Sequence, residues 1–132
     1  MPLKLRSFIY ALLDLLREDY PLQLHELIRD ARGITCLQTL DDETIIIKIR
    51  RGKIKIVRRV RKKEINIRVS LSRRCLFRIL EGELTLEEAF YTDELKVCGD
   101  PLTLLRTYQL WQKIISLSRK SPRFYFLTYK LR

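Results

Sequence analysis

FRILEGELTLEEAFYTDELKVCGD, residues 77–100, sets the order of elements in the second half of the chain. Leu76, Ile79 and Leu80 recur at helical spacing behind Ser72, a residue type that caps helix N-termini. A turn follows at Gly82. Thr85 and Glu88 then stand three apart, the spacing at which a hydroxyl and a carboxylate each satisfy the other residue's free amide. This second helix is short. Leu95 and Val97 alternate as a strand, and Asp100-Pro101 pairs an N-cap acid with proline at the first helical position.

C-terminal to this stretch, Leu104, Tyr108, Trp111 and Ile115 form one helical stripe flanked by Leu105 and Ile114, with Arg106, Gln109 and Lys113 opposite. The tail after Pro122, RFYFLTY, is aromatic and β-prone. N-terminal to it, Leu5, Phe8, Ile9, Leu12, Leu13 and Leu16 recur every three or four residues, which predicts an amphipathic helix ended by Tyr20-Pro21. A second helix through Leu24, Leu27, Ile28 and Ala31 stops near Gly33.

Between these helical regions the period changes to two. Residues 33–40 alternate weakly, 41–43 read as a turn, 44–50 and 53–57 as strands joined by a tight Arg51-Gly52 hairpin, and 64–71 as a further strand. Alternation places Ile45, Ile47, Ile49, Ile54, Ile56, Ile65, Ile67, Val69 and Leu71 on one face. Lys48, Arg50, Lys53, Lys55 and Arg68 fall on the other. An antiparallel sheet with one oily face calls for helices on that face alone.

This order of elements, with Gly-x-Leu before an Ala-Phe helix and Leu95-x-Val97-x-Gly99-Asp100 after it, resembles the sterol carrier protein 2 (SCP2-like) family over roughly residues 33–118. Asp93 stands where many relatives have glycine, and aspartate tolerates left-handed backbone better than most residues. The resemblance implies an α+β fold: about five mostly antiparallel strands covered by helices on one face, here with an N-terminal helical extension. The expected organisation is one domain over 1–132, with N-terminal helices at 1–32, the core at 33–120 and the aromatic tail at 121–132. The resemblance also implies a ligand space between sheet and helices, lined by Phe77, Leu80, Leu84, Phe90, Leu95, Leu104, Leu105, Tyr108 and Trp111. Periodicity alone allows the same residues to close-pack with no void. The implied function is non-catalytic binding or transfer of a lipid, sterol or isoprenoid-type molecule, with no cofactor.

Charge adds a second constraint. Residues 48–78 contain fourteen Lys or Arg against one acid, Glu64, so the net charge of +11 is concentrated there. Lys48, Arg50, Lys53, Lys55 and Arg68 are therefore candidates to face an anion. Three uses suit them: a solvated sheet face, attraction to an anionic membrane, or nucleic-acid binding. Aromatic residues that would stack on bases are missing from this segment apart from Phe77, although the tail offers Phe124, Tyr125 and Phe126 beside Arg123 and Lys130. A structural subunit, or a homodimer docking through the N-terminal helix and tail, is a further alternative.

Catalytic patterns are sparse. His25 is the single histidine and reads as a helix-surface residue. Cys36, Cys75 and Cys98 are widely spaced, which favours a reducing, cytoplasmic setting, peripheral to membrane at most, over a disulfide or metal framework. Cys98 falls on the outward side of its strand. No metal set or glycine-rich phosphate loop is apparent, and residues 1–17 lack the pattern of a signal peptide.

Overall fold

Tyr20-Pro21 divides the N-terminal helical pattern into α1 (Leu5–Asp19) and α2 (Pro21–Asp30) in the computed structural model, which describes residues 3–131. Residues 1, 2 and 132, at the ends of the expected N-terminal helix and tail, lie outside the described residues. The strands are β1 (Thr35–Leu40), β2 (Glu43–Arg50), β3 (Lys53–Val57), β4 (Ile67–Leu71) and β5 (Leu95–Gly99). The remaining helices are α3 (Arg73–Glu81), α4 (Leu86–Tyr91), α5 (Pro101–Ser118) and α6 (Pro122–Tyr129). The fold is α+β.

The strands lie in the order β3-β2-β1-β4-β5. β1 pairs antiparallel with β2 and parallel with β4, while β2–β3 and β4–β5 are antiparallel. A simple meander would put β4 beside β3; instead the chain crosses back and lays β4 on the far side of β1. Two contacts explain this placement. The Ile56 amide on β3 donates to the Tyr10 hydroxyl at 3.2 Å, which occupies part of that strand's outer edge. The Asn66 side chain fastens the start of β4 to β1, accepting from Thr35 N at 2.9 Å and donating to Gly33 O at 2.7 Å.

This asparagine also shortens the expected strand. Lys62–Glu64 form a 3-10 turn, and β4 begins only at Ile67. Ile65 is thus left half-buried outside the ladder, not on the inner face. The Arg51-Gly52 hairpin forms as expected, with φ of 53° and 73°, the positive pair that a two-residue turn of matching twist requires.

The inner face carries Cys36, Gln38, Leu40, Ile47, Ile49, Ile54, Ile67, Leu71 and Leu95, all buried under the helices. Outward lie the five predicted basic residues, but so does a row of apolar side chains. Leu37, Ile46 and Val57 are aligned across β1, β2 and β3 and are half-buried. In the run Ile45-Ile46-Ile47 the middle residue must face the other way.

The local start signals hold. Ser72 accepts from Cys75 N, Thr85 and Glu88 form the capping box, and Asp100 accepts from Thr103 N. Asp93 has φ 63°, the left-handed turn that the sequence assigned to it. At Gly99 a Cβ would come within 2.9 Å of Asn66 O, so the bare backbone lets β5 close on β4.

The tail is helical, contrary to its β-prone composition. Pro122 takes the first helical turn, and Phe124, Leu127 and Thr128, with Leu131 beyond, are buried at helical intervals. Tertiary burial of that stripe overrides local propensity.

One cluster ties the ends of the helical layer to the sheet. Glu43, at the start of β2, accepts from Leu5 N at 3.0 Å and so caps α1, whose own N-cap Lys4 supplies no side-chain bond. The other Glu43 oxygen pairs with the Arg73 guanidinium, which also donates to Leu3 O at 2.8 Å and Leu131 O at 3.4 Å. Both side chains are about three-quarters or more buried. Charge-assisted bonds in such a setting contribute about 1.5–3 kcal/mol. Arg73→Ala should therefore lower unfolding stability by about 2 kcal/mol, and the melting temperature by roughly 8 °C. Paired urea and thermal melts would check this, with Arg73→Lys, which keeps the charge without the fork, recovering part of the loss.

Candidate functional site

A cavity of about 230 Å³ lies between the inner face of the sheet and the helices. Its floor is Gln38, Ile67, Val69, Leu71, Leu95 and Val97, contributed by β1, β4 and β5. Leu5, Phe8, Ile9 and Leu12 of α1 close one side, because the helix presents one apolar stripe to the sheet. Leu76, Ile79 and Leu80 of α3 form a second wall. Leu86, Glu87, Phe90 and Tyr91 of α4 face Leu104, Thr107, Tyr108, Trp111 and Ile115 of α5.

Six of the nine residues expected around the space line it: Leu80, Phe90, Leu95, Leu104, Tyr108 and Trp111. The other three do not. Leu105 follows Leu104 on α5, a rotation of about 100° along the helix, and is 49% exposed. Phe77 sits half-buried against the core on the flank of α3. Leu84 is buried in the α3–α4 turn, beside a separate polar hollow that includes Gly82, Thr85 and Arg119. The α1 wall and the β1 and β4 floor were missing from the sequence reading. The α1 stripe was its visible signal, since a helix with so continuous an apolar face must be covered by something.

The neighbouring stripe of α5 is the deeply buried one: Thr103, Thr107, Leu110, Ile114 and Ser118. Hydroxyls are tolerated there because they bond their own helix. Thr107 Oγ1 donates to Thr103 O at 2.8 Å and Ser118 Oγ to Ile114 O at 2.6 Å. With this stripe packed inward, Leu104, Tyr108, Trp111 and Ile115 on the adjoining side border the cavity together with Thr107.

The exposed lining residues of the cavity, Glu87, Phe90 (45%) and Tyr91 (83%), lie on α4 where it faces Tyr108 of α5, which puts the opening there. Leu102 and Leu105 of α5 are exposed outside the lining. The Tyr108 hydroxyl donates to Glu87 across this opening. That bond holds the Glu87 carboxyl below the usual carboxylate range, and it raises the Tyr108 phenol. Asp100, at the start of α5, is likewise lowered by hydrogen bonds from Thr103.

Lys48, Arg50, Lys53, Lys55 and Arg68 all lie on the outward sheet face, away from the cavity. Lys48 opposes Lys55 and Arg50 opposes Lys53 across β2 and β3. Lys48 is partly neutralised by Glu64 at 3.0 Å, whose carboxyl is lowered by the same contact. The tail rings have no free charge from Arg123, which pairs with Glu18 at 2.7 Å and Asp19 at 2.8 Å on α1.

His25 is on the exposed side of α2, and no His, Cys, Asp or Glu cluster among the described residues would hold a metal ion. Burial pushes the Cys36 thiol up to about 12 and raises Cys75, so neither is a poised thiolate. Cys98 is exposed on the outer side of β5. No helix among the described residues is long and apolar enough to cross a membrane.

The model of the SCP-2 sterol transfer family matches residues 13–112. Among solved structures, the chain is similar to one described as "UbiJ-SCP2 Ubiquinone synthesis protein", with a TM-score of 0.61 at 14% identity, covering 91% of this chain and 98% of that one. It is similar to the sterol carrier protein domain 2 of Helicoverpa armigera, with a TM-score of 0.61 at 15% identity over 83% of this chain and 87% of that. A third is the apo form of sterol carrier protein 2 from Yarrowia lipolytica, at 0.55 and 18% identity over 80% and 88%. No curated protein matches the chain.

The Glu87–Tyr108 bond predicts a pH window for the opening. Glu87 has a lowered pKa, so its contribution is present above the unfolded carboxylate value of about 4.3 and is lost as pH falls through the lowered one. Tyr108 is raised, so its contribution is present below about 10 and is lost as pH rises through the raised value. Release of an apolar fluorescent probe, followed by stopped flow, should accelerate at both extremes. At neutral pH, Tyr108→Phe should release the probe severalfold faster than the parent. An unchanged rate in that variant would show that this bond does not gate the opening.

Proposed function

Because the chain belongs to the SCP-2 sterol transfer family, a family of lipid-binding and lipid-transfer domains, we propose that its cavity holds the apolar part of a lipid-like molecule without chemical turnover. The observation that carries this reading is the cavity itself. It is floored by the inner sheet face, walled by aliphatic and aromatic side chains from four helices, and open between α4 and α5. The ligand class is a sterol, an isoprenoid or a long acyl chain. The sterol carrier and ubiquinone synthesis descriptions of similar folds support that choice.

Volume constrains the mode of binding. At about 230 Å³ the space is smaller than the roughly 300–1,000 Å³ usual for small-molecule sites. A long ligand therefore leaves part of its length in the opening, against Phe90 and Tyr91, unless α4 yields. Each methylene withdrawn from water contributes about 0.8 kcal/mol, so a ten-carbon segment gives roughly 8 kcal/mol before ordering costs. The binding unit includes α1, since four of its side chains form a wall.

The basic sheet face steers the domain toward anionic membrane. Two observations favour membrane over nucleic acid: the outward strands carry Leu37, Ile46 and Val57 but no aromatic ring, and Arg123 beside the tail rings is already paired. Steep salt-dependent binding to oligonucleotides would reverse that preference.

Two experiments test the proposal. Native mass spectrometry with organic extraction should find a copurifying apolar molecule, and Leu104→Trp, which fills the cavity, should lose binding of an apolar probe while keeping the parent melting temperature within a few degrees. Undiminished probe binding in that variant would overturn the cavity reading. Separately, each basic residue near an anionic surface contributes about 1 kcal/mol, so Lys53→Gln with Lys55→Gln should weaken partition onto phosphatidylserine vesicles by about thirtyfold. Vesicle sedimentation measures this.

A further inference from the structure

Within the cavity, Gln38 is out of character with its surroundings. It lies on the central strand β1, inner face, 7% exposed, in one row with Ile45, Val69 and Val97 across the neighbouring strands. Its position facing Ile45 and Val69 is one that an aliphatic side chain would fill. Its backbone serves the sheet, but its side-chain amide has no hydrogen-bond partner among the described residues. No buried side-chain polar atom among the described residues is both sealed from space and unpartnered. The Gln38 amide therefore opens onto the cavity that it lines.

An amide facing an apolar cavity without a protein partner is an unused hydrogen-bonding group, and one that costs free energy whenever the cavity is filled by apolar groups alone. The amide offers two donors and one acceptor. The other polar groups on the wall are otherwise engaged or differently placed. Thr107 donates to its own helix, Tyr108 and Glu87 bond each other at the opening, and Trp111, half-buried, can only donate.

We infer that the cavity takes an amphiphile whose single uncharged oxygen group, a hydroxyl or carbonyl, hydrogen-bonds the Gln38 amide, and that Gln38 selects the ligand's polar end. This rests on the reading of the cavity as a lipid site. The ligand enters oxygen first. Gln38 lies two strands in from β5, about 10 Å at ordinary strand spacing, so the apolar body lies over Val69 and Val97 and reaches back toward the opening. A carboxylate or phosphate head is excluded from that end. Glu87 is the one charged residue lining the cavity among those described, it is negative, and no Lys, Arg or His faces the space to compensate a buried anion.

The test uses the full chain and diphenylhexatriene, a hydrocarbon probe with no polar atom, displaced by 1-dodecanol or by dodecanoate at neutral pH. The parent protein should bind dodecanol at least tenfold more tightly than dodecanoate. Gln38→Leu should bind diphenylhexatriene as well as the parent does and lose about tenfold in dodecanol affinity. Gln38→Met, an unbranched replacement, repeats the measurement should the leucine variant fold poorly. The comparison of the two ligands on the parent needs no variant at all. Equal dodecanol affinity in parent and variants, or dodecanoate bound as tightly as dodecanol, overturns the assignment to Gln38 while leaving a lipid site. Failure of the hydrocarbon probe to bind the parent removes the lipid site itself.

Discussion

The ion pair between Glu43 and Arg73 joins the sheet to two of the helices that wall the cavity. A sheet with one apolar face can be covered by close-packed helices or by helices held at its rim. Here α1 forms one wall through Leu5, Phe8, Ile9 and Leu12, and its first amide is capped by a carboxylate from β2. Arg73, at the start of α3, bonds that carboxylate and the carbonyls of Leu3 and Leu131. Strand, both flanking helices and the C-terminal end thus meet at two charged side chains. α1 is tied to the sheet at its start by Glu43 and near its middle by the Tyr10 hydroxyl, which is bonded to β3. α6 supports the same wall from behind, with Arg123 and Ser121 bonded to Asp19 at the far end of α1.

Much of this was legible because it depends on neighbours in sequence. Ser72, the Thr85–Glu88 box, Asp100-Pro101 and Arg51-Gly52 act over two to four residues, and each forms where the sequence places it. The alternation of Ile47, Ile49 and Ile54 likewise identified the inner face. What was not legible depends on partners far apart. The parallel pairing of β1 with β4 is fixed by Asn66 bonding Gly33 and Thr35, more than thirty residues away. The tail's aromatic content suggested a strand, yet burial of Phe124, Leu127 and Leu131 against the helical layer made it a helix. The cavity residues divide in the same way. Five of those named lie on it because helical stripes determine sides and Leu95 because strand alternation does, whereas Leu105 falls outside because one residue turns the side chain away from the space.

Gln38 illustrates a different limit. From sequence it is one polar residue in a weakly alternating stretch, indistinguishable from a solvent-facing one. Only its register with Ile45 and Val69 shows that it faces inward. Polar residues on an inner sheet face are informative because their cost must be offset elsewhere.

The geometry also separates two surfaces that the sequence presented together. The basic residues occupy the outer sheet face, and the opening lies between α4 and α5 on the helical side. One orientation on a flat membrane cannot apply both surfaces to the lipid at once. Charge acts over about a Debye length, roughly 8–10 Å at physiological salt, so under the proposed function the basic face would draw the domain near an anionic surface in any of several orientations. On the proposed reading, exchange would require the exposed Phe90, Tyr91, Leu102 and Leu105 to meet the bilayer. A domain held too firmly by its sheet would keep the opening pointed at water. The Glu64 contact that neutralises part of the Lys48 charge would moderate that hold. Under the proposed function, the attraction would have to be strong enough to concentrate the protein and weak enough to let it turn over.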